Sequence, residues 1–195
     1  MNRRPLLLLA TATLLVLGGC AVVSKVATGD AVVKDRLLVK VDKPWNQFER
    51  SLGDDTPTWT QDGISVDALR FYVGVKDGQP LADVTGPASA GKLQPFRRSM
   101  QTKDVVGLFE SLYVRDGSSF QLDKVAPHRF MGGDGFRFEF SSVRKSDEVR
   151  LIGVGYGAVV QGELFAITYT APRLSFFGRH VASAESVAAS ARLRP

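Results

Sequence analysis

Two histidines, His128 and His180, and a single cysteine, Cys20, bound the acid–base, metal and thiol chemistry open to this 195-residue chain. Neither histidine belongs to an H-E-x-x-H or comparable ligand series. His128 stands beside a glycine turn with Asp134 close in sequence, and His180 stands at the start of the last helical pattern. Each is expected at the surface or at a cap, with His128 kept as the helper of any hydrolytic site and as a candidate ligand or partner contact. Asp54, Asp55, Asp62 and Asp67 offer the paired carboxylates that glycoside hydrolysis uses, but clustered acids in a turn-rich segment are also ordinary loop composition. Ser142-Val143-Arg144-Lys145 has the S-x-x-K spacing in which a lysine amine activates a serine hydroxyl from one helical turn away. Here the four residues run from a strand pattern into a turn, where that spacing separates the two groups. No G-x-S-x-G elbow is present.

Gly153-Val154-Gly155-Tyr156-Gly157-Ala158 has the spacing of a dinucleotide fingerprint, yet the residues after it read as strand and turn, and no βαβ unit surrounds it. On a strand, three alternate glycines project to one face and make a flat lane against which a helix or an aromatic ring can press. A ligand lying in the lane is the functional alternative. Trp45, Trp59 and the Phe176-Phe177 pair fall at strand ends and in the loop before the last helix. Large apolar side chains there either seal the core edge or stand out as a contact patch for a ligand or partner.

The elements that must position these residues follow from periodicity. Residues 33–41 alternate as a strand ending at Pro44-Trp45, Thr58-Trp59-Thr60 leads into a hairpin, and residues 64–75 give a longer strand. Residues 76–98, rich in Gly and Pro, read as a long irregular loop of the kind that carries recognition. Thr102 is expected to cap a helix whose stripe is Val105, Val106, Leu108, Phe109, Leu112 and Tyr113. Four strands follow, approximately 120–125, 135–143, 148–160 and 163–170, joined by turns too short for parallel crossovers, so the meander is antiparallel. Val181, Ala184, Val187, Ala188 and Ala191 mark a closing helix with a small-residue face.

The first twenty residues read as an export segment: Arg3 and Arg4, an apolar run over 6–17, then Leu17-Gly18-Gly19-Cys20. The apolar run is shorter than the ~20 residues a spanning helix needs. Asn2-Arg3-Arg4-Pro5-Leu6-Leu7 loosely resembles a twin-arginine signal, but the strongly apolar core favours the general secretory route. Leu-Gly-Gly-Cys resembles the lipobox of bacterial lipoproteins. That resemblance implies a diacylglycerol thioether on Cys20, cleavage of residues 1–19, and usually acylation of the new N-terminus. Two or three chains hold a protein to a bilayer, since each buried methylene contributes about 0.8 kcal/mol. Ala21 in place of an aspartate favours outer-membrane delivery, with the domain facing the periplasm. Cleavage leaves 176 residues at a formal charge of +3, a mild bias without the basic, aromatic-laced stripe that nucleic acid would require. No nucleic-acid partner is expected.

Residues 20–31 are small and polar and are expected to form the lipidated N-terminus and a tether, and residues 32–195 a single globular α+β domain. The fold expected is an antiparallel sheet of about six strands with two main helices packed on it. Its element order, with Pro44-Trp45-Asn46 after the first strand and a closing helix running to Ser190-Ala191-Arg192-Leu193, resembles the PsbP-like fold, an α/β/α sandwich, and envelope lipoproteins of the DcrB kind. The resemblance implies a binding or assembly role and carries no catalytic set.

The expectation is therefore a membrane-anchored envelope lipoprotein, not an enzyme, with no cofactor and no metal. It acts as a binding or assembly module for an envelope protein, lipid or glycan. A hydrolase using carboxylates with His128, and a small lipid or ligand carrier floored by the glycine lane, are the alternatives.

Overall fold

The computed structural model describes residues 23–48, 55–83 and 93–195. In chain order the elements are β1 (Val23–Val26), β2 (Gly29–Val33), β3 (Leu37–Val41), β4 (Trp45–Phe48), β5 (Thr58–Thr60), β6 (Ala68–Val75), α1 (Thr102–Val114), β7 (Gln121–Phe130), β8 (Gly133–Val143), β9 (Arg150–Val160), β10 (Glu163–Pro172), α2 (Phe177–Ala189) and β11 (Arg192–Leu193). The main sheet runs β1-β4-β5-β6-β10-β9-β8-β7, and a second, three-stranded sheet runs β11-β3-β2. All the pairings are antiparallel.

The α+β class stands, but the main sheet has eight strands where about six were expected. The two strands added to it are β1 and β4, and the strand expected over 33–41 lies in the second sheet instead. Residues 23–26, expected within a tether, pair with β4 from Val23↔Phe48 to Val26↔Trp45. The single strand expected over 33–41 is the end of a hairpin, because Lys34 and Asp35 adopt left-handed backbone (φ 46° and 56°) and fold β2 onto β3. The closing helix ends at Ala189, and Arg192–Leu193 pairs with β3.

The sheet is organised by β8 and β9. In register, Phe136 faces Gly157, Phe138 faces Gly155 and Phe140 faces Gly153. A Cβ on Gly153 or Gly155 would lie 2.2 Å from the ring opposite, and on Gly157 2.5 Å. The glycine lane is thus covered by the protein's own phenylalanines, with Phe138 and Phe140 stacked at 5.7 Å and 22°. Helix α1 closes over this ladder: Phe109 lies 5.2 Å from Phe138 and 5.1 Å from Tyr72, and Tyr113 lies 5.0 Å from Phe140. The helix starts at Gln101, whose N–H donates to Asp104 at 3.0 Å, so the cap is one residue before the expected Thr102.

The other face of the sheet carries Leu69, Phe71, Val154, Phe165, Ile167 and Tyr169, packed with α2 (Ala184, Val187, Ala188) and β3 (Leu37, Val39, Val41). The small α2 residues allow that close approach, and Ser190 Oγ fastens its end by accepting the Lys40 N–H at 2.7 Å. Much of the expected long loop is held down: Phe96 is fully buried, its N–H donates to the Gln79 carbonyl at 2.7 Å, and its own carbonyl accepts from Gly78 at 2.8 Å. Residues 84–92 of that loop lie outside the described residues.

The two outer strands of the main sheet differ. Strand β7 carries Pro127, exposed Lys124 and Arg129, and a register shift between Leu122 and Lys124, all devices that discourage a further strand from adding. Strand β1 is simply short.

Replacing Gly155 with alanine forces a methyl group into the Phe138 ring and is expected to cost about 1–3 kcal/mol. Denaturant titration of Gly155→Ala checks this. Adding Phe138→Leu, which withdraws the obstructing ring, should make the pair less destabilised than the sum of the single changes.

Candidate functional site

Strand β10 ends at Pro172, and the turn into α2 pushes one side chain outward. Arg173 N–H donates to the Arg150 carbonyl at 3.3 Å, and Phe176 N–H reaches back to the Leu174 carbonyl at 3.0 Å across Ser175, whose φ is 72°. This i→i+2 closure at positive φ is a γ-turn of the rare, strained form, a conformation that persists only when its surroundings enforce it. Those surroundings are visible. Phe177 packs 5.6 Å from Tyr169, and the Arg179 guanidinium lies 5.1 Å from the Phe176 ring. Leu174 is left 81% exposed, well above the other large apolar side chains that stand out from the described surface.

The first turn of α2 is also tied to the turn between β5 and β6. The buried Asp67 carboxylate accepts from Thr60 Oγ1 at 2.6 Å and from the backbone of Gln61 and Asp62, which shapes that turn. Asp62, presented by it, accepts from His180 Nε2 at 2.9 Å and Arg179 Nη1 at 3.3 Å. Burial, with Asp67 and Asp62 nearby, pushes the Tyr169 hydroxyl well above the usual phenol range. The result is a fixed edge: exposed Leu174, half-exposed Phe176, and the cations Arg173 and Arg179.

A second polar cluster joins α2 to the sheet. Arg137 Nε donates to Tyr156 Oη at 2.9 Å and its Nη2 to Glu185 at 3.1 Å, while Nη1 pairs with Glu139. Tyr156 Oη donates to Glu185 at 2.7 Å. Burial works against the Arg137 charge, but its bonds to Glu139, Tyr156 and Glu185 hold its pKa above the ordinary value. Burial, opposed by Arg137 and reinforced by Glu185, pushes the Tyr156 hydroxyl up to about 12. Every polar group has its partner within the cluster, so it acts as a fastener.

The expected site residues fall as follows. Cys20 and Asp54 lie outside the described residues. Trp45 and Trp59 are each only 1% exposed, so of the two roles open to them core sealing holds and the ligand or partner contact is corrected: Trp45 packs edge-on to Tyr169 and Trp59 lies on Phe71. Phe176 and Phe177 are half-buried and support the turn, leaving its tip to Leu174. His128 lies 5.3 Å from the Tyr156 ring and faces Gly135, while Asp134 faces Arg129, so strand register does not bring the two together. The three described carboxylates are each spent on structure: Asp55 turns to Lys34 and to the Asp83 N–H, Asp62 to His180 and Arg179, and Asp67 to its own turn. Ser142 donates its hydroxyl to the Ser119 carbonyl at 2.7 Å and so serves as a loop clasp. Among the described residues no group of three or more His, Cys, Asp or Glu could hold a metal ion, and no helix is long and apolar enough to cross a membrane.

Sequence reasoning missed Leu174 and the Arg137–Tyr156–Glu185 cluster. The only signal for Leu174 was its place beside Arg173 at the end of a strand. The cluster joins residues 48 positions apart, which no spacing rule connects.

No protein-family model matches the chain, and no curated protein matches it. Among solved structures, it is similar to the solution structure of cyanobacterial PsbP (CyanoP) from Synechocystis sp. PCC 6803, with a TM-score of 0.55 at 14% identity, covering 91% of this chain and 99% of that one. The fold is therefore PsbP-like. A second similar structure is that of LpqN, involved in cell envelope biogenesis of Mycobacterium tuberculosis, with a TM-score of 0.37 at 11% identity over 92% of this chain and 88% of that one.

Because the folded pKa of Tyr156 is raised from 10.0 to about 12, its contribution to stability is complete below pH 10 and is lost as the pH rises through 12. Phenolate absorbance on alkaline titration should contain one late component near pH 12 that Tyr156→Phe removes.

Proposed function

We propose that the chain is a lipoprotein of the bacterial envelope, held to the outer membrane through acylated Cys20 and facing the periplasm. Its domain serves as a non-enzymatic binding or assembly module that engages an envelope protein through the Leu174 edge. The observation that carries the contact surface is Leu174 itself. A strained turn, braced from beneath by Phe177 on Tyr169 and by Arg179 on Phe176, holds an apolar side chain 81% exposed between cations. Arginine and aromatic side chains are enriched at interfaces, and Arg173, Arg179 and half-exposed Phe176 supply them beside the apolar tip. The PsbP-like fold and the Leu-Gly-Gly-Cys sequence support the remainder of the reading. The carrier alternative has lost its floor, because the glycine lane is filled by Phe136, Phe138 and Phe140.

Two measurements test this. Intact-mass analysis and membrane fractionation of the native protein should show the acyl mass and membrane residence, both lost in Cys20→Ser. A photo-crosslinker at position 174 should then give discrete adducts in intact envelopes, whereas one at the exposed Val143 should not. Leu174→Asp should remove copurification of the adduct partner while changing stability by no more than about 0.5 kcal/mol, as exposed substitutions generally do. Equal labelling at both positions would refute the contact edge.

A further inference from the structure

Strand β1 begins at Val23, so only three peptide units separate the folded sheet from Cys20. At about 3.8 Å per unit they reach about 11 Å at most. The polar layer of a bilayer leaflet is about 5–8 Å deep outside the hydrocarbon. If Cys20 is acylated, as the lipoprotein reading on which this inference rests requires, the start of β1 lies within or just above the headgroups. No flexible leash remains to lift the domain away.

The pairing gives the direction of approach. Strands β1, β5 and β10 run one way and β4 and β6 the other, so the chain enters β1 from the side on which β10 begins, at Glu163. Leu174 follows the opposite end of β10. The surface around the entry suits a wet, anionic interface. Val23 is 50% and Val32 44% exposed, and Lys25 is exposed beside them. Val32, Val33 and Lys34 share a cleft of about 190 Å³ with Gln47, which faces Ser24 of β1 in register, so the two patches are continuous. The acids on the neighbouring turn and strand are matched: Asp55 with Lys34, Asp30 with Arg192 and Asp35 with Arg194. Strand β1 pairs only with β4 among the described residues. Its outer backbone groups can be hydrated among headgroups but not in hydrocarbon, which sets the depth.

We propose that the β1 edge, with Val23, Lys25, Val32 and Lys34, rests in the headgroup layer of the bilayer that holds the anchor. The lipid fixes the domain's orientation as well as its address, and Leu174 is presented away from that membrane.

The test uses the full acylated protein reconstituted in vesicles of phosphatidylethanolamine with a minor share of phosphatidylglycerol. Acylated Cys20 does not react with maleimides, so Val32→Cys, Lys25→Cys and Leu174→Cys each take a single environment-sensitive label. A headgroup nitroxide lipid should quench the labels at 32 and 25 several-fold more than the label at 174. A flexible Gly/Ser insertion between Val22 and Val23 should bring them down to the level at 174. Acylated protein with equal quenching at all three positions, or quenching indifferent to the insertion, overturns the docking alone. A mass without acyl chains overturns the lipoprotein reading and the docking with it.

Discussion

Three phenylalanine rings of β8 lie against three glycines of β9, and the remainder of the fold is built on that contact. Each ring buried there contributes about 1.5–3 kcal/mol. The contact also specifies register, because a slip of one residue would turn the rings to the opposite face and set Val154 and Tyr156 where the glycines must be. With the ladder in place, Phe109 and Tyr113 of α1 have a surface to close upon. The β9 residues between the glycines then fill the other face beneath α2.

A sheet packed this way has little interior to offer a ligand, and its polar clusters are spent on fastening. Arg137, Tyr156 and Glu185 tie α2 to β8 and β9, while Asp62 with His180 and Arg179 ties the start of the same helix to the β5–β6 turn. Held at both places, α2 can brace the strained turn that precedes it. Rigidity inside thus produces an exposed apolar tip outside, the edge proposed as the contact surface.

How much of this was legible in the sequence depended on whether local pattern or distant partners decide each element. The glycine lane was legible because period-two spacing forces alternate residues onto one face, and the rings that cover it lie one short turn away. Helix α1 was legible from its stripe. Strand β1 was not: Val23-Ser24-Lys25-Val26 is mostly exposed, so no apolar alternation marks it, and pairing with β4 alone makes it a strand. The β2–β3 hairpin was hidden because Lys34 and Asp35 adopt left-handed backbone without the Asn-Gly or Gly that signals such a turn. Trp45 and Trp59 at strand ends could as well have stood out as sealed the core; only the packing of Tyr169 and Phe71 against them decides it.

The covered glycine lane is the central physical claim, and solution NMR tests it most directly. The Hα resonances of Gly153, Gly155 and Gly157 should be shifted upfield by the rings above them, with nuclear Overhauser contacts to Phe140, Phe138 and Phe136 respectively. Ordinary glycine shifts without those contacts would mean that the lane is open, and would contradict the packing on which the proposed edge contact depends.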